Sequence, residues 1–346
     1  MPTFRTGRVT RLIARRAGIQ QVEVDGEKAY VLCDVIGPVE VGNHVVLNTT
    51  AVDLGLGTGG WHVVHWNLER DGWHRPGDGH LMKLRYTSEQ VDTGVWSDPP
   101  DSDDDARPAL PDLGGMPVIV ATLHSHLAPL AAAIAMSGGD RRVAWVMDDT
   151  AALPLPLSDL AAALTDAGLL HSAVSCGQAF GGQLEAASVP HGLEVAAREA
   201  DIAVVAAGPG LAGSGSAVGF GAVAAAWHLD VAARLGGRTA LVVRAGHSDR
   251  RSRHRVVSHH TRSVLSLATL PTTLPLPAGS LGDEAANALA PVGDHRVERV
   301  SVADVAGFLA EHGITATSMG RALADDALAL ACAAAPGVWA STLSPT

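Results

Sequence analysis

Pro117-Val118-Ile119-Val120-Ala121-Thr122-Leu123, followed by Val143-Ala144-Trp145-Val146-Met147 and Ile202-Ala203-Val204-Val205-Ala206-Ala207, decides the fold of this chain. Each run is almost wholly apolar and shows no alternation, the mark of a strand covered on both faces. Amphipathic segments separate them. Helices are expected at 128–136, 157–167, 193–199 and 217–235, with further strands at 170–175 and 239–244. Strand, loop and helix repeated in this order build a parallel sheet with helices on both faces. The larger part of the chain therefore reads as a doubly wound, mainly parallel α/β domain.

Outward from this core the pattern changes in both directions. Beyond Ser263 the signal weakens to helices at 285–289, 303–310 and 321–334 and strands at 297–302 and 314–317, which complete the same domain. Toward the N-terminus, short β-like runs at Gly7–Thr10, Gln21–Val24, Ala29–Leu32 and Val45–Leu47 are divided by turn signals, Asp25-Gly26 the strongest. A small antiparallel barrel satisfies this pattern, because closure removes exposed strand edges. Gly79 to Thr87 alternates like a strand, with Lys83 and Arg85 on one face and Met82, Leu84 and Tyr86 on the other, and one face is expected to be buried. Between Asp98 and Asp112, prolines and repeated acids read as a linker. The expected domains are 1–96, a β-rich N-terminal domain with a connecting strand; 97–114, the acidic linker; and 115–346, the α/β domain. Limited proteolysis is expected to cut between Asp98 and Asp112.

The 346 residues are 47% hydrophobic and 18% charged, the composition of a folded globular protein. A formal net charge of −11 argues against coating nucleic acid or an anionic membrane, so neither partner is expected. Ile202 to Trp227 lacks charge but is interrupted by six glycines and a proline, which argues against a membrane span. Cys33, Cys176 and Cys332 form no Cys-x-x-Cys pair and are expected as reduced thiols. With no signal-peptide pattern at Met1 to Thr10, a cytoplasmic protein is expected, in the form of a homo-oligomer.

In an open parallel sheet, ligands bind outside the carboxyl ends of the strands. The expected strand ends lead into His124-Ser125-His126, Asp148-Asp149, Cys176-Gly177-Gln178, the glycines from Gly208 to Gly215, and Arg244 to His260. His124, Asp148, Gly210 and His254 should therefore share one edge. The last segment is the strongest anomaly. Between Arg244 and Arg262, six arginines face one acid, Asp249, leaving a formal +5 in an acidic chain. Such a field favours a phosphate or carboxylate. Arg251 and Arg253, with the helix start at Ser258, His260 and Thr261, are the candidate ligand-binding residues, and His254, His259 and His124 the candidate acid/base residues. This reading requires Arg253 to face the shared edge. The competing reading is an interaction protein whose basic segment pairs with acidic residues within the chain or on another subunit.

Two further patterns were weighed and set aside. The histidines and aspartates offer metal donors, but adjacent His259 and His260 should diverge on a helix, so no metal site is expected. Gly208-Pro209-Gly210-Leu211-Ala212-Gly213 has the Gly-x-Gly-x-x-Gly spacing after a strand, which makes Gly208, Gly210 and Gly213 candidate phosphate-cradle residues. The glycines continue too far for a dinucleotide turn, and the next strand ends in Arg244 rather than an acid. No cofactor is assigned. A second glycine run, Gly55 to Gly60, reads as a barrel corner, and Asp148-Asp149 as a capping pair or an acid/base pair.

Leu47-Asn48-Thr49-Thr50 with Leu54-Gly55-Leu56-Gly57-Thr58-Gly59-Gly60, then Met82-Lys83-Leu84-Arg85-Tyr86-Thr87, then Arg253-His254-Arg255-Val256-Val257-Ser258-His259-His260-Thr261, resemble an uncharacterised bacterial family, domain of unknown function 3866. The resemblance spans nearly the whole chain. It departs at Arg250, which follows Asp249 where the family pattern has proline. It implies a shared architecture and carries no activity with it. The combined expectation is an enzyme or ligand-binding protein for a small anionic or phosphorylated molecule.

Overall fold

Apolar strands without alternation need cover on both sides, and the computed structural model shows where they find it. It describes residues 2–56, 59–75, 81–94, 109–289, 293–318 and 320–343. The chain divides into two units, Met1–Val95 and Trp96–Thr346. Most of the acidic linker segment, and Gly79-His80, lie outside the described residues.

In the first unit, β1 (Phe4–Arg16), β2 (Ile19–Val24), β3 (Glu27–Leu32), β4 (His44–Asn48) and β5 (His62–Asn67) close a barrel in the order β1-β2-β3-β5-β4. All pairs are antiparallel except β3 with β5. Asp25 and Gly26, both at positive φ, turn β2 into β3, as the Asp-Gly signal requires. Alternate residues point inward, so Val9, Val22, Val24, Ala29, Val31, Val45, Leu47 and Val64 form the barrel core. Two single-turn helices, α1 (Cys33–Ile36) and α2 (Thr50–Asp53), lie in the connections around β4. A hairpin of β6 (Leu81–Lys83) and β7 (Val91–Thr93) follows. Here Lys83 is buried, whereas Met82 and Tyr86 are exposed. The strand ends at Lys83, because Leu84 and Tyr86 both turn to positive φ and Thr87 N bonds back to Leu84 O, so the alternation never reaches Tyr86.

In the second unit, β8 (Pro117–Ala121), β9 (Val143–Asp148), β10 (Ser172–Ser175), β11 (Leu184–Glu185), β12 (Ile202–Ala207) and β13 (Arg238–Leu241) follow one another along the chain. After an excursion containing β14 (Ala245–Gly246) and β15 (Val256–Val257) come β16 (Thr273–Pro277) and β17 (Arg296–Val300), and a last small hairpin is made by β18 (Thr317–Ser318) and β19 (Arg321–Ala322). Eight of these form one sheet in the order β11-β10-β9-β12-β8-β13-β16-β17. Every pairing in it is parallel, so all carboxyl ends lie along one edge.

Helices cover both faces: α3 (Leu127–Met136), α4 (Asp159–Asp166), α5 (Val189–Glu199), α6 (Ala225–Arg234), α7 (His259–Leu267), α8 (Ser280–Leu289), α9 (Val305–Glu311) and α10 (Ala327–Thr342). One core joins the sheet to α5, α6, α7 and α8 through Leu193, Leu229, Val264 and Ala285. The other joins it to α3, α4 and α9 through Leu130, Leu164 and Leu309, and α10 contributes to both. Among the described residues no helix is long and apolar enough to cross a membrane, and the uncharged stretch from Ile202 is a strand, a loop and a helix.

Three expected elements are displaced. The helix expected from Ala217 begins only at Ala225, because Ser214 and Ser216 hydroxyls bind backbone amides two residues on and hold 214–218 in turns. The helix expected from Arg321 begins at Ala327, where Asp326 caps it, and runs on through Pro336 to Thr342. The strand expected at 314–317 shrinks to Thr317–Ser318. Helix α10 lies very close to α3: a Cβ placed on Gly337 would stand 2.6 Å from Leu130 O. Gly337→Ala is therefore expected to destabilise the protein by about 2 kcal/mol through overpacking, read as a lower urea midpoint with an unchanged slope.

Candidate functional site

Strand β13 continues through buried Val242 and Val243, with Val242 N donating to Val120 O, and so delivers Arg244 to the carboxyl edge of the sheet. The first turn of α7 grips the Arg244 backbone. Arg244 N donates to Thr261 Oγ1 at 3.0 Å, and Arg244 O accepts from Ser258 N at 2.8 Å. The guanidinium is 9% exposed, and its Nη1 donates to His260 Nδ1 at 2.8 Å. Among the described residues no carboxylate comes within ion-pair distance of it. Burial first, then the cations of Arg251 and Arg321, lower Arg244 to about 10 despite the opposing field of Asp249.

Arg244 lines a cavity of about 50 Å³ with His126, His254, Asp249, Arg321 and Asp326. That volume holds about three waters or one compact anionic group. Asp249 takes Arg251 in a two-pronged pair, Nε at 3.0 Å and Nη2 at 2.9 Å, and Arg321 stands 3.6 Å away. The Arg251 pair holds the Asp249 carboxyl well below the usual carboxylate range. Asp326 Oδ2 accepts from His247 N and Ser248 N, both at 2.8 Å, while Oδ1 accepts from Ala329 N at 3.1 Å. Gly246 permits this approach, since a Cβ there would stand 2.8 Å from Asp326 Oδ2.

Three histidines stand beside the cavity. His254 Nδ1 lies 2.7 Å from Ser258 Oγ, and the His254, His259 and His260 rings are mutually within 5.0 Å between centroids. One donor atom from each lies within 4.8 Å of the other two. The expected divergence of His259 and His260 does not keep their donor atoms apart. At the first two positions of a helix, long side chains lean back over the N-terminus, where His254 waits on a preceding 3-10 turn. Burial and the field of Arg244 lower His254 to about 4 and His260 to about 3. Burial and Arg253 lower His259. All three are neutral at pH 7, and they are the residues able to hold a metal ion here.

The sheet brings the loops after β8, β9, β12 and β13 to one edge, the loops that carry His124, Asp148, Gly210 and His254. Within that edge the candidates separate. His124 is tied by Nε2 to Ser158 Oγ at 2.8 Å, packs on Trp145 and does not line the cavity; burial lowers it to about 4. His126 does line it, because residues two apart in a 3-10 turn point in different directions. His126 is 3% exposed, its Nδ1 has no hydrogen-bond partner among the described residues, and burial with Arg244 lowers it to about 3.

Arg251 is committed to Asp249, and Arg253 is exposed and does not line the cavity. An anion site resting on Arg253 is therefore unsupported; the buried guanidinium facing the cavity belongs to Arg244. Ser258 and Thr261 are wholly buried and spend their oxygens on the α7 cap and on Arg244 N, so these two hydroxyls are not offered to an anion. Gly208 packs against Met147 and Ala152, Gly210 turns at positive φ, and Gly213 bridges Phe220. No helix starts on these glycines, so the dinucleotide arrangement does not form. The loop ends instead with the Phe220 ring stacked 3.7 Å from His260 at 3°, which ties it to the histidine cluster. Asp148 and Asp149 hold turns: Asp148 Oδ1 accepts from Thr150, Asp149 Oδ2 from Gln178 N, and His228 lies 3.6 Å from Asp148.

Sequence reasoning passed over His126, Arg321 and Asp326 as site residues and counted Arg244 only among the basic residues. Arg244 carried a readable signal, a cation directly after an apolar strand. Arg321 carried none, lying far along the chain in a two-residue strand.

No curated protein and no solved structure matches the chain. The model of the family described as "Protein of unknown function (DUF3866)" matches residues 28–337, which takes in every residue of the cavity, and the chain belongs to that family.

Proposed function

We propose that the carboxyl edge of the α/β sheet binds a small anion, a phosphate or carboxylate group of a small molecule, in the cavity of Arg244 and Arg321. One observation carries this reading: a guanidinium buried without a carboxylate partner among the described residues, facing a cavity. An uncompensated buried charge costs several kcal/mol, and an anion in that cavity offsets the cost with paired N–H donors. His126 and His254 line the same cavity and are unprotonated at pH 7, so they present neutral ring nitrogens as hydrogen-bonding partners to a ligand there. The cavity admits the charged end of a ligand, with the remainder outside.

The test is thermal unfolding of the full-length protein against inorganic phosphate, sulfate and small phosphorylated or carboxylated metabolites. At about 100 times the dissociation constant a bound ligand adds about 2.7 kcal/mol, roughly 5–10 °C for a domain of this size. If none of these anions moves the transition, the reading is lost. The interface reading has its own support in Arg250 and Arg253, which are exposed and have no acidic partner among the described residues. Charge reversal at both, with the oligomeric state measured by light scattering, tests it.

A further inference from the structure

We propose that His254, His259 and His260 form a site for a divalent transition-metal ion of imidazole preference, such as Zn²⁺ or Co²⁺, which shares Arg244 with the anion cavity. The site rests on geometry independent of the anion reading. Three imidazoles converge from two rigid pieces of chain, the 3-10 turn at Ser252–His254 and the first turn of α7, with donor atoms within 4.8 Å of one another. Closing this spread to coordination distance asks only for small side-chain rotations.

Each ring is prepared differently. His254 Nδ1 is engaged by Ser258 Oγ, the kind of outer hydrogen bond that fixes a metal-binding imidazole and leaves Nε2 to the ion. His259 Nε2 is buried and has no hydrogen-bond partner among the described residues, an orphaned ring nitrogen of a sort that folded proteins rarely tolerate. His260 is stacked on Phe220, which sets the plane of its ring, and its Nδ1 accepts from Arg244. A metal ion at His260 Nδ1 and the Arg244 guanidinium therefore compete for one lone pair. Arg244 has somewhere to go, since it already lines the cavity.

An imidazole binds a metal through the ring lone pair that it also offers to hydrogen bonds. The surrounding charge opposes the ion. Arg244, Arg251 and Arg253 all repel a dication, and Asp249, the carboxylate whose field acts on His254, is taken up by Arg251. The ion is thus held by its ligands against the local field, and removing Arg244 should strengthen it. Three protein nitrogens leave a coordination position open, the pattern of a reactive rather than a purely structural metal ion.

Co²⁺ titrated into the full-length protein at neutral pH tests the proposal, because low-coordinate Co²⁺ absorbs visible light far more strongly than the aqueous ion. One equivalent is expected to saturate an intense visible band. His259→Ala, a residue outside the cavity lining, should abolish the band while leaving the urea unfolding midpoint close to wild type; His260→Gln should do the same. Arg244→Met, with all three histidines intact, should bind Co²⁺ about tenfold more tightly. A wild-type spectrum that stays that of aqueous Co²⁺, or a band that survives His259→Ala, overturns the site. An Arg244→Met protein that binds no more tightly overturns the shared arginine. Phosphate stabilisation without a Co²⁺ band sinks this proposal alone, and a band without phosphate stabilisation sinks only the anion reading.

Discussion

Arg244→Met is expected to abolish stabilisation by phosphate or any other anion while leaving the unliganded protein as stable as the wild type or more so, by about 1–2 kcal/mol. Binding and folding are asked to move in opposite directions by one substitution. The guanidinium is buried, its proton affinity is lowered to about 10, and the only described side chain it bonds is an uncharged imidazole. A shift of that size corresponds to about 3 kcal/mol of unfavourable environment for the charged form. Methionine is unbranched and adaptable, fills much of the space of the arginine stem and carries no charge to desolvate. It forfeits the bond to His260 Nδ1, worth about 1 kcal/mol. Arg244→Lys keeps the charge without the planar fork and should weaken anion binding about tenfold. An undiminished phosphate shift in Arg244→Met places the anion elsewhere. A large loss of stability would mean that Arg244 is held by the fold for the fold's own sake.

Asp326→Ala is expected to cost about 3 kcal/mol, the largest stability loss of any single polar substitution at this edge. The carboxylate joins three pieces of backbone: it caps α10 at Ala329 and binds the amides of His247 and Ser248 beside β14. Alanine leaves all three N–H groups to find water, and of the residues concerned Ser248 and Ala329 line the cavity. Burial pushes the Asp326 carboxyl up, but the amides of Ser248, Ala329 and His247 overcome this and hold it below its ordinary value. Its contribution is therefore complete above the unfolded carboxyl value of about 4 and is lost as pH falls through the lower folded value. Urea unfolding at pH about 7 and pH about 2 should show the gap between wild type and Asp326→Ala narrowing in acid. A gap independent of pH would leave the charge without a part in the joint.

How far the sequence disclosed all this depends on the kind of signal. Val118, Val146 and Val205 announced buried parallel strands because covered strands have no polar face to confuse the reading. Strand β16 was hidden by Pro275 and Pro277, which look like breakers; they are tolerated because β16 touches β13 only at Ala240–Thr273. Strand β11 has two residues, too few for any period to show. In the site, the density of arginine between Arg244 and Arg262 was plain, but which one turns inward was not. Burial of Arg244 follows from β13 running two residues beyond its ladder, a tertiary fact. The run from Met82 to Tyr86 misled for the converse reason: alternation was assumed to persist through Leu84, where the backbone turns.

The order of strands across the large sheet also has a temporal meaning. β8 bonds only to β12 and β13, and β9 meets β8 through β12 alone, so the first two strands of the domain have no direct partner in each other. As the chain leaves the ribosome, β9, β10 and β11 can begin to pair, but the centre of the sheet stays open until Ile202–Ala207 arrives to be threaded between β8 and β9. A nascent chain stalled just short of that strand exposes three unpaired strand edges, both of β8 and one of β9, the moment at which this domain is most prone to aggregate and most dependent on chaperones.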